Sequence, residues 1–597
     1  MKKFILALLF VVAVSATTVF AAETYNVPTG RIVIGTTTIP SANIAPGWDN
    51  ISTNAHVRRL IFDGLNTMER DMDGEWFLNP AAVRDLDIAD DEEGNRTYTF
   101  TIRMGNRFSD GTYITAAHYV ANIVFFQHEY FLELADTHVV PVEITSVRLL
   151  SDEQFSVTVD AEFLPFIWEH IYKNHSPLAH HAIIPDAALV DHGDGAFFEG
   201  LTQEMMETAV MDELLGFRHN PSVTPGPYRF MGIDLETMEI FLEANPYFPG
   251  TWDGYSPRIR HIAFRPIFWV VDELMLGNVD MVSGQSGGAI IDLALDWVVH
   301  DMGTHNYISY ARNGYGLLHF HVDHGPTQFV EVRQAIKWLT DRELITEIFN
   351  GGHGIIAHGP FSPSMWMYQE AVERGLYDRL NIYYHNPDKA VEILESGGWV
   401  LNGRGRPFRL GIDDVRYKHV EGYGLMRLEI KWPAPAAGLM TETLRAILPH
   451  EMEAVGMQLT QVYVGNPLPL ASRTGGSGAE FHMFSFIINF GLNHSPWMSL
   501  NPDPAFMGGG FNTTFSQDQE LFELANRMRF MDISTDEGRE EFIDAWIDLM
   551  AKLTYQVQEI PLFNDIQFDF IPTRLQNWSN NANWGVAPAI VRAYVTE

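Results

Sequence analysis

The hydrophobic period of the chain changes within residues 97–126, and this change restricts the possible folds more than any other feature. Tyr98, Phe100 and Ile102 alternate with threonines, which predicts a strand with one buried face. The turn-forming residues Ser109-Asp110-Gly111 follow. From Thr115, which suits an N-cap, apolar residues recur at helical spacing. Because strand and helix patterns alternate along the whole chain, the sequence predicts an α/β fold.

Two other stretches predict single elements from their residue pattern. The acidic run Asp90–Asn95 separates two alternating segments and predicts a solvated hairpin turn. Residues 331–352 carry apolar side chains at helical spacing from end to end, which predicts one amphipathic helix.

The first residues form a separate unit. Lys2 and Lys3 precede an apolar run from Phe4 to Val14, and a small residue, Ala21, ends a plausible cleavage site. We therefore expect residues 1–21 to be a signal peptide cleaved after Ala21, with an uncleaved membrane anchor as the alternative. No later segment is apolar over the roughly 18 residues that a membrane span needs, so the mature chain is not expected to cross a membrane.

Composition excludes some classes of protein and one kind of anchor. The chain has no cysteine, so it forms no disulfides and lacks the residue to which a lipoprotein lipid is attached. With 39 basic and 76 acidic residues, its formal net charge is −37, which repels nucleic acid and anionic lipid. We expect a protein free in the periplasm or outside the cell, with no nucleic-acid partner.

Two short motifs raise catalytic or metal-binding alternatives. Gly284–Gly288 matches the G-x-S-x-G pattern, which would make Ser286 the nucleophile of a secreted hydrolase, although Gly/Ser-rich loops are common. His319 and His321 lie on one face of a predicted strand and could bind a metal, or they could simply be hydrogen-bonded. We favour the structural interpretation of both motifs, and we expect no metal, no cofactor and no catalysis.

Nine phrases along the chain resemble, in order, the family 5 extracytoplasmic solute-binding proteins of ABC importers. Together they extend over nearly the whole mature chain, and the second departs from the family pattern at Met104 and Asn106. The phrases are IFDGLNTMERDMDG, TYTFTIRMGNRFSDGTYITAAH, GPYRF, LEANPYFPG, LGNVDM, FVEVRQAIKWLTDRELI, GHGIIAHGPFSP, NPDKAVEILESGGW and QEIPLF. Members of this family include dipeptide-, oligopeptide-, nickel- and some oligosaccharide-binding proteins.

The resemblance implies a two-lobed periplasmic-binding-protein fold of type II, with the ligand enclosed between the lobes. Lobe I would be discontinuous, and the segment holding the strand, turn and helix of residues 97–126 would be a subdomain inserted into it. The implied boundaries are 22–62, 220–300 and 550–597 for lobe I, 63–219 for the inserted subdomain and 301–549 for lobe II.

The resemblance also implies partners. The protein would be a monomer that captures a small-molecule ligand, a peptide or an oligosaccharide, without a cofactor. It would deliver that ligand to two transmembrane permease subunits, which work with two ATPase subunits in the membrane. None of these partners is part of this chain.

Several aromatic residues are candidates for ligand contact because they lie in loops, where binding groups are often found. For each, the alternative is a ring that is packed or merely exposed. The tryptophan candidates lie in segments bounded by Gly, Pro or Asn, and Tyr130 follows the predicted helix. They are Trp48, Tyr130, Trp366, Trp432 and Trp497.

The ligand class depends mainly on residues 481–497. Peptide-binding relatives hold the ligand's amino terminus with an aspartate, whose place here falls at or near Gly491, and residues 481–497 contain no acid. Asn489, Phe490 and Asn493 place neutral hydrogen-bonding groups beside an aromatic ring, which suits an oligosaccharide. Peptides are the commoner ligand of the family and bind strand edges through their backbone. We therefore predict a peptide ligand, with an oligosaccharide as the alternative.

Overall fold

The computed structural model describes residues 28–49, 51–135, 144–161, 172–436, 438–465, 467–472, 480–490, 496–508 and 511–596. The predicted signal peptide, residues 1–21, lies outside these ranges. Within them, no helix is both long enough and apolar enough to span a membrane.

The strands are numbered in chain order. They are β1 Thr29–Thr36, β2 Met68–Arg70, β3 Trp76–Leu78, β4 Val83–Asp90, β5 Arg96–Ile102, β6 Ile144–Leu149, β7 Gln154–Val159, β8 Ala188–Asp191, β9 Ala196–Glu199, β10 Tyr228–Asp234, β11 Glu239–Ala244, β12 Ile259–Pro266, β13 Met281–Gln285, β14 His305–Ala311, β15 Gly314–Phe320, β16 Gly354–Ile356, β17 Tyr417–Val420, β18 Gly424–Arg427, β19 Glu429–Ala434, β20 Gln458–Tyr463, β21 Met483–Asn489, β22 Glu559–Pro572, β23 Leu575–Gln576 and β24 Tyr594–Val595.

The helices are numbered in the same way, and a π-helical segment, Ala294–Asp301, continues α7. They are α1 Ser52–Phe62, α2 Ala116–Gln127, α3 Glu129–Ala135, α4 His180–Ile183, α5 Gln203–Met211, α6 Val270–Met275, α7 Gly288–Leu293, α8 Val330–Leu339, α9 Arg342–Asn350, α10 Trp366–Glu373, α11 Leu376–Arg379, α12 Pro387–Ser396, α13 Leu439–Ala454, α14 Leu468–Ala471, α15 Gln519–Met528, α16 Asp536–Gln556 and α17 Val586–Arg592.

One large mixed sheet connects the two halves of the molecule. Its strands are hydrogen-bonded in the order β10-β11-β12-β1-β13-β22-β15-β21, and β14 and β16 also pair with β22. A hydrophobic cluster of β1, β10–β12, α1 and α17 covers one end of the sheet. A second cluster, built from β15, α8, α9, α13, β19 and β22, covers the other. The fold is thus mixed α/β, as the sequence predicts.

The strand, turn and helix predicted within residues 97–126 are confirmed. Tyr98 and Phe100 are fully buried on β5, which lies in a separate sheet of order β4-β5-β7-β6. Thr115 is the N-cap of α2, and its backbone N–H donates to His118 Nδ1 at 3.0 Å. Histidine here occupies the position that Glu or Gln usually holds in a capping box. The predicted turn at Asp90–Asn95 is also confirmed, since it joins β4 to β5.

The single helix predicted for residues 331–352 is wrong, because the structure has two helices, α8 and α9. Thr340 has an extended backbone, and the Asp341 side chain accepts a hydrogen bond from Leu344 N at 3.0 Å. An aspartate that caps the next helix ends the first one. The hydrophobic stripe continues across the break, so the pattern alone does not reveal it.

A buried carboxylate on β22 connects three segments of the sheet region. Asp569 is fully buried, and donors from β13, β14 and the C-terminal segment surround it. Its oxygens accept hydrogen bonds from Ser283 Oγ (2.7 Å), Gly284 N (2.8 Å), Tyr310 OH (3.1 Å), Trp578 Nε1 (2.9 Å) and Asn580 Nδ2 (2.8 Å). Neutral donors thus replace the water that the carboxylate loses on burial.

We predict that Asp569→Ala lowers the free energy of unfolding by at least about 3 kcal/mol, because several buried donors lose their common acceptor. The thermal unfolding midpoint measures this effect. Asp301→Ala is the control, since Asp301 is exposed at the end of the π-helical segment. Equal midpoints for the two variants would contradict the prediction.

Candidate ligand-binding cavity

The candidate ligand-binding cavity lies beside β15 and β21 and has a volume of about 680 Å³. Its wall also includes the start of β22, the end of α16, and residues 467–472 and 511–514. Cavities of 300–1,000 Å³ are typical of small-molecule sites. Most of the lining is apolar, with a few polar groups at defined positions.

Strand β21 lies edge-on to this cavity. Five consecutive residues, 486–490, line the wall. Successive side chains of a strand point to opposite faces, so a run without gaps means that the strand's edge adjoins the cavity. In the sheet order, β21 is the terminal strand, paired only with β15 among the described residues.

The backbone of that edge is available for hydrogen bonding. Phe490 N donates to Asn313 O at 2.8 Å across the β15–β21 ladder. In an antiparallel pair, alternate residues direct their N–H and C=O groups to the partner and away from it. Ile487 and Asn489 therefore point these groups outward, and no described residue forms a backbone hydrogen bond with them there. The edge can accept another extended chain.

Two side chains of opposite charge lie in the cavity wall. Glu559, at the start of β22, accepts a hydrogen bond from Tyr315 OH, and burial raises the pKa of this carboxyl to about 7. Lys337 of α8 is 1% exposed, and its ammonium lies 4.5 Å from the centre of the Tyr383 ring. Burial, together with the nearby Arg342 charge, holds the pKa of Lys337 well below its usual value.

A buried histidine, His319, also lies in the cavity wall. His319 pairs with Glu559 in the β15–β22 ladder, and burial lowers its pKa to about 4, so its imidazole is neutral at physiological pH. His319 Nε2 is buried and lacks a hydrogen-bond partner within the described part of the chain. It is available to a ligand.

Of the residues predicted to contact the ligand, Asn489 and Phe490 line this cavity. The Asn489 side-chain oxygen accepts a hydrogen bond from Arg312 Nε at 2.7 Å. The same guanidinium pairs with the buried Asp565 at 3.2 Å. The side-chain oxygen of Asn489 therefore already has a partner, whereas its backbone groups have none among the described residues. Asn493 lies outside the described residues.

The tryptophan candidates and Tyr130 do not line this cavity. Trp432 is fully buried in the cluster around β19 and donates from Nε1 to Ser485 Oγ at 3.3 Å. Trp497 is buried in the cluster of α10, α15 and α16, and Trp366 packs against that cluster. Trp48 and Tyr130 lie together against a cluster of the predicted inserted subdomain. None of these five rings is among the lining residues of the cavity.

The structure gives no support to a nucleophile at Ser286 or to a metal site at His319 and His321 within the described residues. Ser286 lies between β13 and α7, as a nucleophile elbow would require, but no described histidine hydrogen-bonds to it. His321 Nε2 is 2.8 Å from Ala471 O, so a backbone group occupies this imidazole. In the part of the chain that the structure describes, no three His, Asp or Glu side chains are grouped as a metal site.

Sequence reasoning missed the charged groups of the cavity. Tyr315, Lys337 and Glu559 are far apart in the chain, and nothing in their local pattern connects them. One signal was present. Lys337 lies in a helix whose other residues are mostly buried. Because lysine is rarely buried without a partner, its presence there indicates a special environment.

The overall fold is that of the two-lobed periplasmic binding proteins. Similar structures include oligopeptide-binding AppA from Bacillus subtilis with a nonapeptide (TM-score 0.70, 15% identity, covering 95% of this chain and 99% of that chain). Another is NikA from Brucella suis with Fe(III)-EDTA (TM-score 0.68, 14% identity, covering 95% and 100%). These likenesses establish the fold, and the predicted lobe boundaries remain predictions.

Within that class, residues 80–418, more than half of the chain, match the family model "Bacterial extracellular solute-binding proteins, family 5 Middle". The chain therefore belongs to family 5, the extracytoplasmic solute-binding components of ABC importers.

Two curated relatives match over shorter ranges. Di/tripeptide-binding protein 1 of Pseudomonas aeruginosa is 30% identical over 352 residues, which are 57% of this chain and 58% of that protein. Heme-binding protein A of Haemophilus influenzae is 30% identical over 80 residues, 13% of each. The chain thus matches less than two thirds of the length of either relative.

We predict that Glu559→Gln stabilises the ligand-free protein at pH 8 and has little effect at pH 4. Because the folded-state pKa is raised from 4.5 to about 7, the ionised carboxyl disfavours the folded state. This penalty develops as pH rises from 4.5 and is complete above about 7, reaching about 3 kcal/mol.

Thermal unfolding midpoints at the two pH values test this. The matched control is Glu421→Gln, at an exposed position. A stabilisation equal at both pH values would contradict the assignment of a raised pKa to Glu559.

Proposed function

We propose that this protein captures peptides in the cavity beside β21 and presents them to a membrane permease. The outer edge of β21 is the observation that carries the proposal. A peptide can add to this edge as an extra strand, and its backbone would hydrogen-bond to Ile487 and Asn489. Phe490 would contact the ligand next to them. This mode of binding tolerates many side chains, because the backbone supplies most of the hydrogen bonds.

The cavity's composition favours a peptide over an oligosaccharide. Sugars bind through several neutral side-chain groups beside flat aromatic faces. Here the side-chain oxygen of Asn489, one of the expected groups, already accepts a hydrogen bond from Arg312, and the candidate tryptophans do not line the cavity. The names of several relatives refer to peptides, which supports the same choice. Delivery to permease and ATPase subunits and action as a monomer belong to the same proposal.

We predict that short peptides, and not β-linked oligosaccharides, raise the thermal midpoint of the protein. A ligand at 100 times its dissociation constant adds about 2.7 kcal/mol of stability. A thermal-shift screen against both classes measures this directly. Stabilisation by oligosaccharides alone would contradict the proposal.

We predict that backbone N-methylation weakens a stabilising peptide at alternate positions. A strand added to β21 directs every second N–H toward that edge, and a methyl group removes the donor. Titration calorimetry with a set of singly N-methylated peptides should show losses of about tenfold or more at those positions. Methylation at the intervening positions is the internal control, and a uniform response would show that the peptide does not bind as a strand.

We also predict that the lobes close on the ligand, because closure excludes water from the bound peptide. Small-angle scattering should give a smaller radius of gyration at saturation than without ligand. An unchanged profile at saturation would contradict closure.

A further inference from the structure

The cavity contains two ionisable side chains, Glu559 and Lys337, that form no ion pair within the described residues. Tyr315 is the single described donor to the Glu559 carboxyl, and the second oxygen of that carboxyl has no hydrogen bond within the described residues. Lys337 lines the same cavity, and no described carboxylate forms an ion pair with it. Buried charges in proteins are normally paired, so a carboxyl in a cavity wall that forms no ion pair points to a charged ligand.

The groups that face Glu559 come from three elements. Tyr315 and His319 belong to β15, and His319 is neutral because burial lowers its pKa. Lys337 belongs to α8, with Arg342 beyond it at the start of α9. The other lining residues carry no charge, and several of them, including Leu317 and Pro561, are apolar. In the empty cavity an ionised Glu559 is therefore stabilised only by the Tyr315 hydroxyl and by the Lys337 charge, which forms no ion pair with it.

We propose that Glu559 is the residue that binds a protonated amine of the ligand, with the Tyr315 hydroxyl holding the carboxylate in place. The proposal rests on the proposed function, that the cavity binds peptides. It assigns the cation-binding role to β22, since residues 481–497 contain no acid. The amine could be the peptide's amino terminus or a lysine side chain, and the chemistry is the same.

The geometry favours a cation at Glu559 over an anion at Lys337. Glu559 keeps part of its surface accessible in the cavity wall, whereas Lys337 is 1% exposed with its ammonium against the Tyr383 ring. A ligand can therefore contact Glu559 without displacing the Lys337 ammonium from the Tyr383 ring. Lys337 instead acts at longer range, where its positive charge favours ionisation of Glu559.

The proposal has a definite pH dependence. The pKa of Glu559 is about 7 in the empty cavity, so acidification below this value protonates the carboxyl and removes its charge. Affinity for a ligand amine should therefore fall by up to about tenfold per pH unit below 7. Affinity for a ligand without an amine should change much less, because it does not depend on that charge.

The test is titration calorimetry on the full chain with three forms of one alanine-based tetrapeptide: free, N-acetylated, and N-acetylated with one lysine. We expect Glu559→Gln to weaken binding of the amine-bearing form at pH 8 by at least about tenfold and to remove its pH dependence. Binding of the N-acetylated form should be unchanged. Tyr315→Phe should weaken binding of the amine-bearing form less, and the exposed Glu421→Gln should behave as wild type.

The three peptide forms separate the outcomes. Preference for the free form identifies the amino terminus as the amine, and preference for the acetylated lysine form identifies a side chain; either supports the proposal. Equal wild-type affinity for all three forms would overturn it and leave the peptide function standing. Weaker binding of all forms by Glu559→Gln would also overturn it, by showing a structural role. Absence of binding by every peptide would overturn the proposed function together with this inference.

Discussion

Strand β22 is the element on which the rest of the sheet depends. Its first residues pair with β15 and β16, and its last residues pair with β13 and β14. One continuous backbone therefore joins the two halves of the sheet. The hydrophobic clusters on either side of it pack against strands whose positions this pairing sets.

The same strand carries three carboxyl groups in different surroundings. Asp569 is surrounded by neutral donors, and Asp565 pairs with Arg312, which extends to Asn489 at the cavity wall. Glu559 has the Tyr315 hydroxyl and an open side toward the cavity. Burial without a matching cation is costly for a carboxylate, and it is tolerated most readily where a ligand completes the pairing. The strand thus combines two structural acids with one that is open to a ligand.

Local elements could be predicted from the sequence because their determinants are local. The alternation of Tyr98, Phe100 and Ile102 and the N-cap at Thr115 depend on a few neighbouring residues. The order of nine family phrases was enough for the fold. The break at Asp341 was missed because a capping aspartate inside a continuous hydrophobic stripe does not change the period.

The binding cavity could be predicted only in part. Asn489 and Phe490 were found because one segment contains them both. Tyr315, Lys337 and Glu559 come together only through pairing and packing of distant segments. Trp432, which is buried and does not contact the cavity, also could not be placed from its neighbours in the sequence. Its flanking residues suggest a loop, but the strand β19 and the helices around it decide its surroundings.

The long stretch of sequence between β22 and the strands that pair with it has a consequence for how the protein folds. Among the described strands, β14 and β16 pair with β22 alone, and β13 and β15 each pair with it along one edge. These edges stay open until residues 559–572 pair with them, so the sheet closes only when distant segments of the chain meet. Contacts of such high sequence separation form slowly. Closure of the sheet around β22 is therefore the expected slow step of folding, because this one strand brings β13, β14, β15 and β16 together.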